Sequence, residues 1–303
     1  MKVWSQRISA TVPDVIETFS EWMAASEVQQ RFLQNLEPAI DTLSYSARCR
    51  QVRELGGDAY DFVSLPHNRL ALAVGDASGK GLAAALMISN VQSSLRTAVA
   101  FAGNDGAAVL GAVNREVYAS SLPDRYATLF YGVFDEATRA LQYVNAGHNP
   151  PMVIRRDRSV VRLECGGPPV GMFPNWTYKE GTVQLDPGDL VLAYTDGVTE
   201  AVNPAGEVWG EVGPLRAMAE HDAQSADEMV EGIFRSMDEF SLGRQTDDAT
   251  VISFAGALSF LKAQTVQIPV ISGGKCETHW CQVQCPPREL ASSRRPPSLE
   301  PGS

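Results

Sequence analysis

Asp58, Asp76, Asp196 and Asp247 are the side chains of this sequence whose type and surroundings could do chemistry. Asp58 closes Gly56-Gly57-Asp58, Asp76 stands in GDASGKG, Asp196 in YTDGVTE, and Asp247 precedes Asp248 in TDDATV. Each follows or precedes a strongly apolar stretch, LALAVGD and DLVLAYTDG most clearly, which puts it where a strand meets a turn or a helix. A carboxylate at the end of a buried strand needs a partner or a metal. Hard oxygen ligands suit Mg²⁺ or Mn²⁺, which take carboxylate, carbonyl and water oxygens in near-octahedral sets. Glycine beside an aspartate lets backbone and cation approach closely, and the small Ala77 leaves its own carbonyl available as a ligand. Gly-Asp and Asp-Gly are also everyday turn signals, so any one of the four is equally well explained as a turn. Four together ask for a common reason.

Two divalent cations roughly 3.5–4 Å apart can bridge a hydroxide, set it in line with phosphorus and neutralise the phosphoryl oxygens. That chemistry hydrolyses phosphomonoesters without a covalent intermediate. Its competitors lack their motifs: no cysteine has an arginine six positions on, and no Asp-x-Asp occurs. Gly75 to Gly81 is one residue too short for a phosphate-binding P-loop, and Gly81 occupies the place of its Ser or Thr. In NAGHNPP, His148 could protonate a leaving serine oxygen, with Asn145 and Asn149 as phosphate contacts. The alternative is a polar turn stiffened by Pro150 and Pro151, with His148 hydrogen-bonded in place. Glu200 either orients a water or caps a helix. His67 and His221 read as surface residues of a hairpin and a helix end.

The elements that must position these groups follow from periodicity. Residues 1–43 form a helical segment whose stripe is Val15, Phe19, Trp22, Leu33 and Leu36; Ser26 and Gln29 interrupt that seam, so it packs on its own domain or on a partner copy instead of extending as a coiled coil. YDFVSL and RLALAVGD flank a hairpin connection at Pro66, His67 and Asn68. Lys80–Ala102 and Asp105–Ser121 are helices, the first rich in Ala, Leu and Met, the second opened by an acid. Strands return at ATLFYGVF, ALQYVNA, PMVIRR, SVVRLE, GTVQL and DLVLAY, followed by helices over Val212–His221 and Ser225–Leu242 and a closing strand ATVISF. Neighbouring hairpins with grouped helices predict a layered α+β sandwich, not alternating βαβ units.

Composition bounds the rest. A net charge of −11 argues against binding the phosphate backbone of nucleic acid, and no run of eighteen apolar residues offers a membrane span. The N-terminus lacks the basic start and apolar core of a signal peptide, so a cytoplasmic protein is expected. Five cysteines, three of them in the last thirty residues, fit a reducing compartment. Residues 258–303 hold six of the eighteen prolines and read as a disordered Pro/Ser-rich tail. Within it, Cys276, His279, Cys281 and Cys285 could supply a Zn²⁺ tetrahedron, although their spacing resembles no recurrent zinc knuckle.

Six motifs in one order, GGDAYDF, GDASGKGLAAALM, YATLFYGVFD, YVNAGHNPP, DLVLAYTDGVTEA and TDDATV, resemble the stage II sporulation protein E and RsbU-like branch of the PPM (type 2C) metal-dependent serine/threonine phosphatases. The likeness covers about residues 45–255 and places a phosphatase domain at 44–257. It implies a four-layer α-β-β-α sandwich carrying two Mn²⁺ or Mg²⁺ ions. By that likeness Asp76 bridges both ions, the Ala77 carbonyl, Asp196 and Asp247 complete the shell of one, and Asp58 serves the other directly or through water. Gly57, Gly75, Gly79 and Gly197 shape the loops, and Asp248 supports Asp247.

The resemblance also implies a substrate, a phosphoserine or phosphothreonine on a STAS-type anti-sigma-factor antagonist in a partner-switching pathway. Control then comes from a partner or from dimerisation through the N-terminal helix, or is absent, with the helix at Lys80–Ala102 as the natural lever for switching. Two other functions stay open: a catalytically silent phosphoprotein-binding module of the same fold, which retention of every carboxylate disfavours, and a scaffold, which leaves the strand-end aspartates without a reason.

Overall fold

The computed structural model describes residues 12–33, 43–102, 105–221 and 225–256. The chain runs α1 (Val12–Leu33), β1 (Leu43–Arg50), β2 (Asp58–Leu65), β3 (Arg69–Ala77), α2 (Leu82–Ala102), α3 (Gly106–Ser120), β4 (Ala127–Asp135) and β5 (Ala140–Ala146). It continues with β6 (Met152–Ile154), β7 (Val160–Arg162), β8 (Gly166–Gly167), β9 (Gly181–Gln184) and β10 (Leu190–Tyr194). The one-turn helix α4 (Asp196–Thr199), then α5 (Val212–Glu220), α6 (Ala226–Ser241) and β11 (Ala249–Gly256) complete it. The proposed tail at 258–303, its Cys/His tetrad and Leu36 lie outside the described residues.

Strand alternation builds the layers. On β3, Leu70, Leu72 and Val74 face one way and Ala71 and Ala73 the other, and all five are buried, because successive side chains of a strand point to opposite faces. The first set joins Phe130 and Phe134 of β4 and Ile252 and Phe254 of β11 in a core between two sheets. The second set packs under Ile88, Val91 and Leu95 of α2 and Val109 and Val113 of α3. A third core joins Leu192, Tyr194 and Val251 to Val230, Ile233 and Phe234 of α6. Burying each large aliphatic or aromatic side chain here contributes about 1.5–3 kcal/mol. The result is the expected α-β-β-α sandwich. One sheet runs β1-β11-β10-β6-β7, the other β2-β3-β4-β5-β8 with β9 also on β5.

Local signals set the helix ends. Asp105 caps α3 by accepting from the Ala108 N–H at 2.8 Å, and Ser225 caps α6 by accepting from the Glu228 N–H at 3.1 Å. At the far end of α6, Leu242 takes a left-handed conformation with φ 53° ahead of Gly243. No helix among the described residues is long and apolar enough to cross a membrane.

The α1 helix keeps only part of the expected seam: Leu33 packs on the α2/α3 core. Phe19 and Trp22 are 59% and 36% exposed, whereas the interrupting Ser26 and Gln29 are each 5% exposed. Polar contacts dock this helix: Gln29 bonds the backbone of Gly56, and Gln92 of α2 donates to the Phe32 carbonyl at 2.9 Å. Buried backbone groups need partners, and here amide side chains supply them. His221 is likewise no free surface residue, since its Nε2 lies 3.0 Å from Ser236 Oγ of α6.

Candidate metal centre

The β2–β3 hairpin brings the first two carboxylates together. Leu65 pairs with Arg69 across the Pro66-His67-Asn68 turn, and the register carries Asp58 opposite Asp76 seven pairs on. His67 and Asn68 both adopt positive φ, 65° and 52°, so the turn needs two residues in the left-handed region. β4 flanks the other side of β3 and sets Thr128 opposite Asp76.

The second sheet delivers Asp196 and Asp247. Asp196 opens α4 directly after β10, and Asp247 precedes β11, the neighbour of β10. Gly197 permits their approach: a Cβ there would sit 1.9 Å from the Asp248 carbonyl oxygen. Glycine is required at that contact, which gives the Asp-Gly pair a packing reason besides its turn propensity.

Asp58 is 2% exposed and is held across the sandwich. Thr195 and Thr250 of the opposite sheet each donate a hydroxyl to its Oδ2 at 2.7 Å. Both lie inside the motifs YTDGVTE and TDDATV, but nothing local in the sequence marks a threonine there as a partner of Asp58. Burial raises the Asp58 carboxyl to about 7, against the lowering effect of these two hydroxyls and with help from Asp248 and Asp196. Asp76 goes to about 8, through burial first and then the charges of Asp58, Asp196, Asp247 and Asp248. Asp196 is raised by burial, then by Glu200 and Asp247. Glu200 itself is exposed and ends α4, its N–H donating to the Asp196 carbonyl at 2.7 Å.

Asp248 turns away from this group. Its carboxylate accepts from the Val52 N–H and the Gly57 N–H, both at 2.8 Å, so it braces the loop before Asp58. Only its backbone supports Asp247, through an N–H to Oδ1 at 3.0 Å. Gly57 in turn offers its carbonyl to the Ala77 N–H at 3.0 Å. Beyond Ala77, Arg125 donates to the Ser78 carbonyl at 2.9 Å and the Tyr126 N–H donates to Ser78 Oγ at 3.1 Å. Lys80, in the glycine-rich loop after Asp76, places its ammonium 2.5 Å from Asp247 Oδ2.

His148 is buried between the sheets with Nδ1 2.9 Å from Thr128 Oγ1. Its Nε2 lacks a well-aligned partner. Burial lowers the ring to about 4, a weak contact with the Tyr194 backbone opposing the shift. Asn145 accepts from the His148 N–H at 2.7 Å and donates to its carbonyl at 3.0 Å, building the polar turn. Asn149 is half-buried beside it.

The donors are all hard oxygens, and they suit a hydrated Mg²⁺ or Mn²⁺ better than a thiolate- or imidazole-seeking metal. Among the described residues no three His, Cys, Asp or Glu groups close into a ready coordination cluster. Mg²⁺ keeps several waters and needs few protein ligands.

This sandwich defines a class, the PP2C-type (PPM) phosphatase fold. The structure superposes on the SiaA-PP2C domain of Pseudomonas aeruginosa with a TM-score of 0.70 at 21% identity, over 82% of this chain and 99% of that one. It also superposes on the catalytic domain of the serine/threonine phosphatase PstP, in complex with two manganese ions, with a TM-score of 0.53 at 18% identity, over 71% and 98% of the two chains. Residues 66–255 match the family model described as Stage II sporulation protein E, and the chain belongs to that family. Protein IcfG of Synechocystis sp. is 32% identical over 61% of this chain, and phosphoserine phosphatase RsbU of Bacillus subtilis is 29% identical over 78%. The aligned part spans 33% of IcfG and 70% of RsbU.

Proposed function

We propose that this chain hydrolyses phosphoserine or phosphothreonine on a protein, with Asp58, Asp76, Asp196, Asp247 and the Ala77 carbonyl holding two Mn²⁺ or Mg²⁺ ions. The carrying observation is the meeting of Asp58 and Asp76 across β2 and β3, with Asp196 and Asp247 arriving from the other sheet. Bound divalent cations supply Lewis-acid polarisation of the phosphoryl group and lower the pKa of water. The protein's own part is positional. Thr195 and Thr250 fix one oxygen of Asp58 and leave the other for coordination. Asp248 and Gly57 hold the loop, and Arg125 and Tyr126 hold Ser78 so that the adjacent Ala77 carbonyl keeps its direction. His148 is a positioning residue in this reading, since it is buried and bonded to Thr128.

The RsbU relative, by its name a phosphoserine phosphatase, supports phosphoserine as the reacting group. The phosphorylated STAS-type anti-sigma-factor antagonist implied by the resemblance is the proposed protein substrate, acting in the cytoplasm. The exposed Phe19, Trp22, Met23 and Val28 of α1 support a second copy or an activator docking there.

The test is release of phosphate from a phosphoserine peptide with Mn²⁺, comparing the parent with Asp76→Asn and Asp196→Asn. Turnover in the parent, lost in both folded variants and with chelator, supports the reading. A folded parent that is inert with every divalent metal favours the silent binding module.

A further inference from the structure

The α1 helix reaches the loop ahead of Asp58 through Gln29. The amide oxygen of Gln29 accepts from the Gly56 N–H at 3.1 Å, and its amide nitrogen donates to the Gly56 carbonyl at 2.7 Å. The same oxygen accepts from Gln51 Nε2 at 3.1 Å. One buried amide therefore satisfies both backbone polar groups of a single glycine. An apolar side chain in its place would leave those groups unpaired in a buried position. Gly56 has no room to move the other way, because a Cβ there would stand 2.7 Å from Asp248 Oδ2 and from Gln51 Cγ.

The next residue of the chain carries the consequence. Gly57 gives its N–H to Asp248 and its carbonyl to Ala77, and Asp58 follows. Two successive glycines are the segment of backbone with most freedom to lose, and a site built on them is only as rigid as its outside contacts. Gln29 supplies such a contact from a helix that precedes residue 66, where the family match begins.

We propose that Gln29 is a positioning residue for the divalent-cation site: its amide pair with Gly56 pre-orders Gly56–Asp58 so that Asp58 and the Ala77 carbonyl meet the cation without further ordering. The inference rests on the metal reading of the site given above. Without the pair, the di-glycine segment samples other conformations, and cation binding must bear the entropy of selecting one.

Calorimetric titration of the full chain with MnCl₂ tests this, comparing the parent, Gln29→Met, Gln29→Glu and Leu33→Ala. Gln29→Met removes both bonds to Gly56 and is expected to raise the Mn²⁺ Kd roughly tenfold, the scale for loss of a group that orients a metal ligand. Gln29→Glu keeps the acceptor but not the donor, so an intermediate Kd is expected, and it serves if the Met variant fails to fold. Leu33 packs on the α2/α3 core, and the hydrogen bonds to Gly56 come from Gln29, so Leu33→Ala should lower the melting temperature and leave Kd in place. An unchanged Kd in both Gln29 variants overturns the proposal. Equal weakening by Leu33→Ala also overturns it, since general loosening of α1 would then suffice. A folded parent that binds no Mn²⁺ removes the metal reading itself and the proposal with it.

Discussion

Thr195, just past β10, donates its hydroxyl at 2.7 Å to Asp58, at the start of β2, and so fastens a carboxylate of one sheet to the other. Thr250 repeats the contact from β11, and the Thr250 N–H donates to Thr195 Oγ1 at 2.9 Å, which aims that hydroxyl. The candidate site thus sits at a seam that holds the sandwich shut, and fold and function share these bonds.

Thr195→Val should therefore cost stability in a pH-dependent way. A hydrogen bond to a charged group contributes about 1.5–3 kcal/mol. Burial sets the Asp58 carboxyl near 7, so the loss should approach that range at pH 8 and shrink at pH 5, where the carboxyl is neutral. Urea unfolding of the metal-free protein at the two pH values measures it; an equal loss at both would refute the charge-assisted account.

Metal-free stability should fall as pH rises. An acid with its folded pKa raised above the unfolded value of about 3.9 contributes stability that is fully present below that value and lost as pH rises through the folded pKa. Asp58 at about 7 and Asp76 at about 8 both act this way. His148, lowered to about 4, acts oppositely, and its contribution is lost as pH falls from its unfolded value of about 6.5 through 4. Two acids outweigh one base below about 6.5, both acids act unopposed from about 6.5 to 7, and Asp76 alone acts from 7 to 8, so the steepest fall lies between about 6.5 and 7 and the fall ends near 8. Mn²⁺ should reverse the slope, since its ligands bind deprotonated. Melting temperatures across pH 4–9 with and without metal decide this.

Asp76→Asn should stabilise the metal-free protein at pH 8.5 while abolishing Mn²⁺-dependent turnover. Four carboxylates raise the Asp76 pKa together with burial, and a neutral amide of the same shape removes that repulsion. A variant less stable than the parent at that pH, by thermal melting, would contradict the repulsion.

Lys80→Met should tighten Mn²⁺ binding severalfold. The Lys80 ammonium holds Asp247 Oδ2 at 2.5 Å, and a cation at that oxygen must displace it and tolerate its charge. Unit charges 4 Å apart interact by about 1 kcal/mol in water. Calorimetry gives the Kd, and weaker binding in Lys80→Met would show that the ammonium serves the metal instead of competing with it.

Much of this molecule could be read from short-range patterns. The alternation in RLALAVGDA marks a strand buried on both faces, the Ala/Leu-rich run after Lys80 marks α2, and Asp105 and Ser225 mark helix starts, because caps and periodicity depend on residues a few positions apart. The four aspartates stood out for the same reason: Asp58, Asp76 and Asp196 beside glycine and Asp247 beside another acid, each next to an apolar strand, are local anomalies. Only the tertiary structure decided what depends on groups far apart in sequence. It set Thr195 and Thr250 on Asp58, turned Asp248 from Asp247 toward Gly57, brought Lys80 to Asp247, and buried Gln29 of α1 while leaving Phe19 exposed. Those outcomes depend on how two sheets stack and where a helix docks, with partners up to 192 positions apart. Hydrophobic pattern specifies which face a residue presents, but the partner that a polar group finds there is chosen by three-dimensional packing.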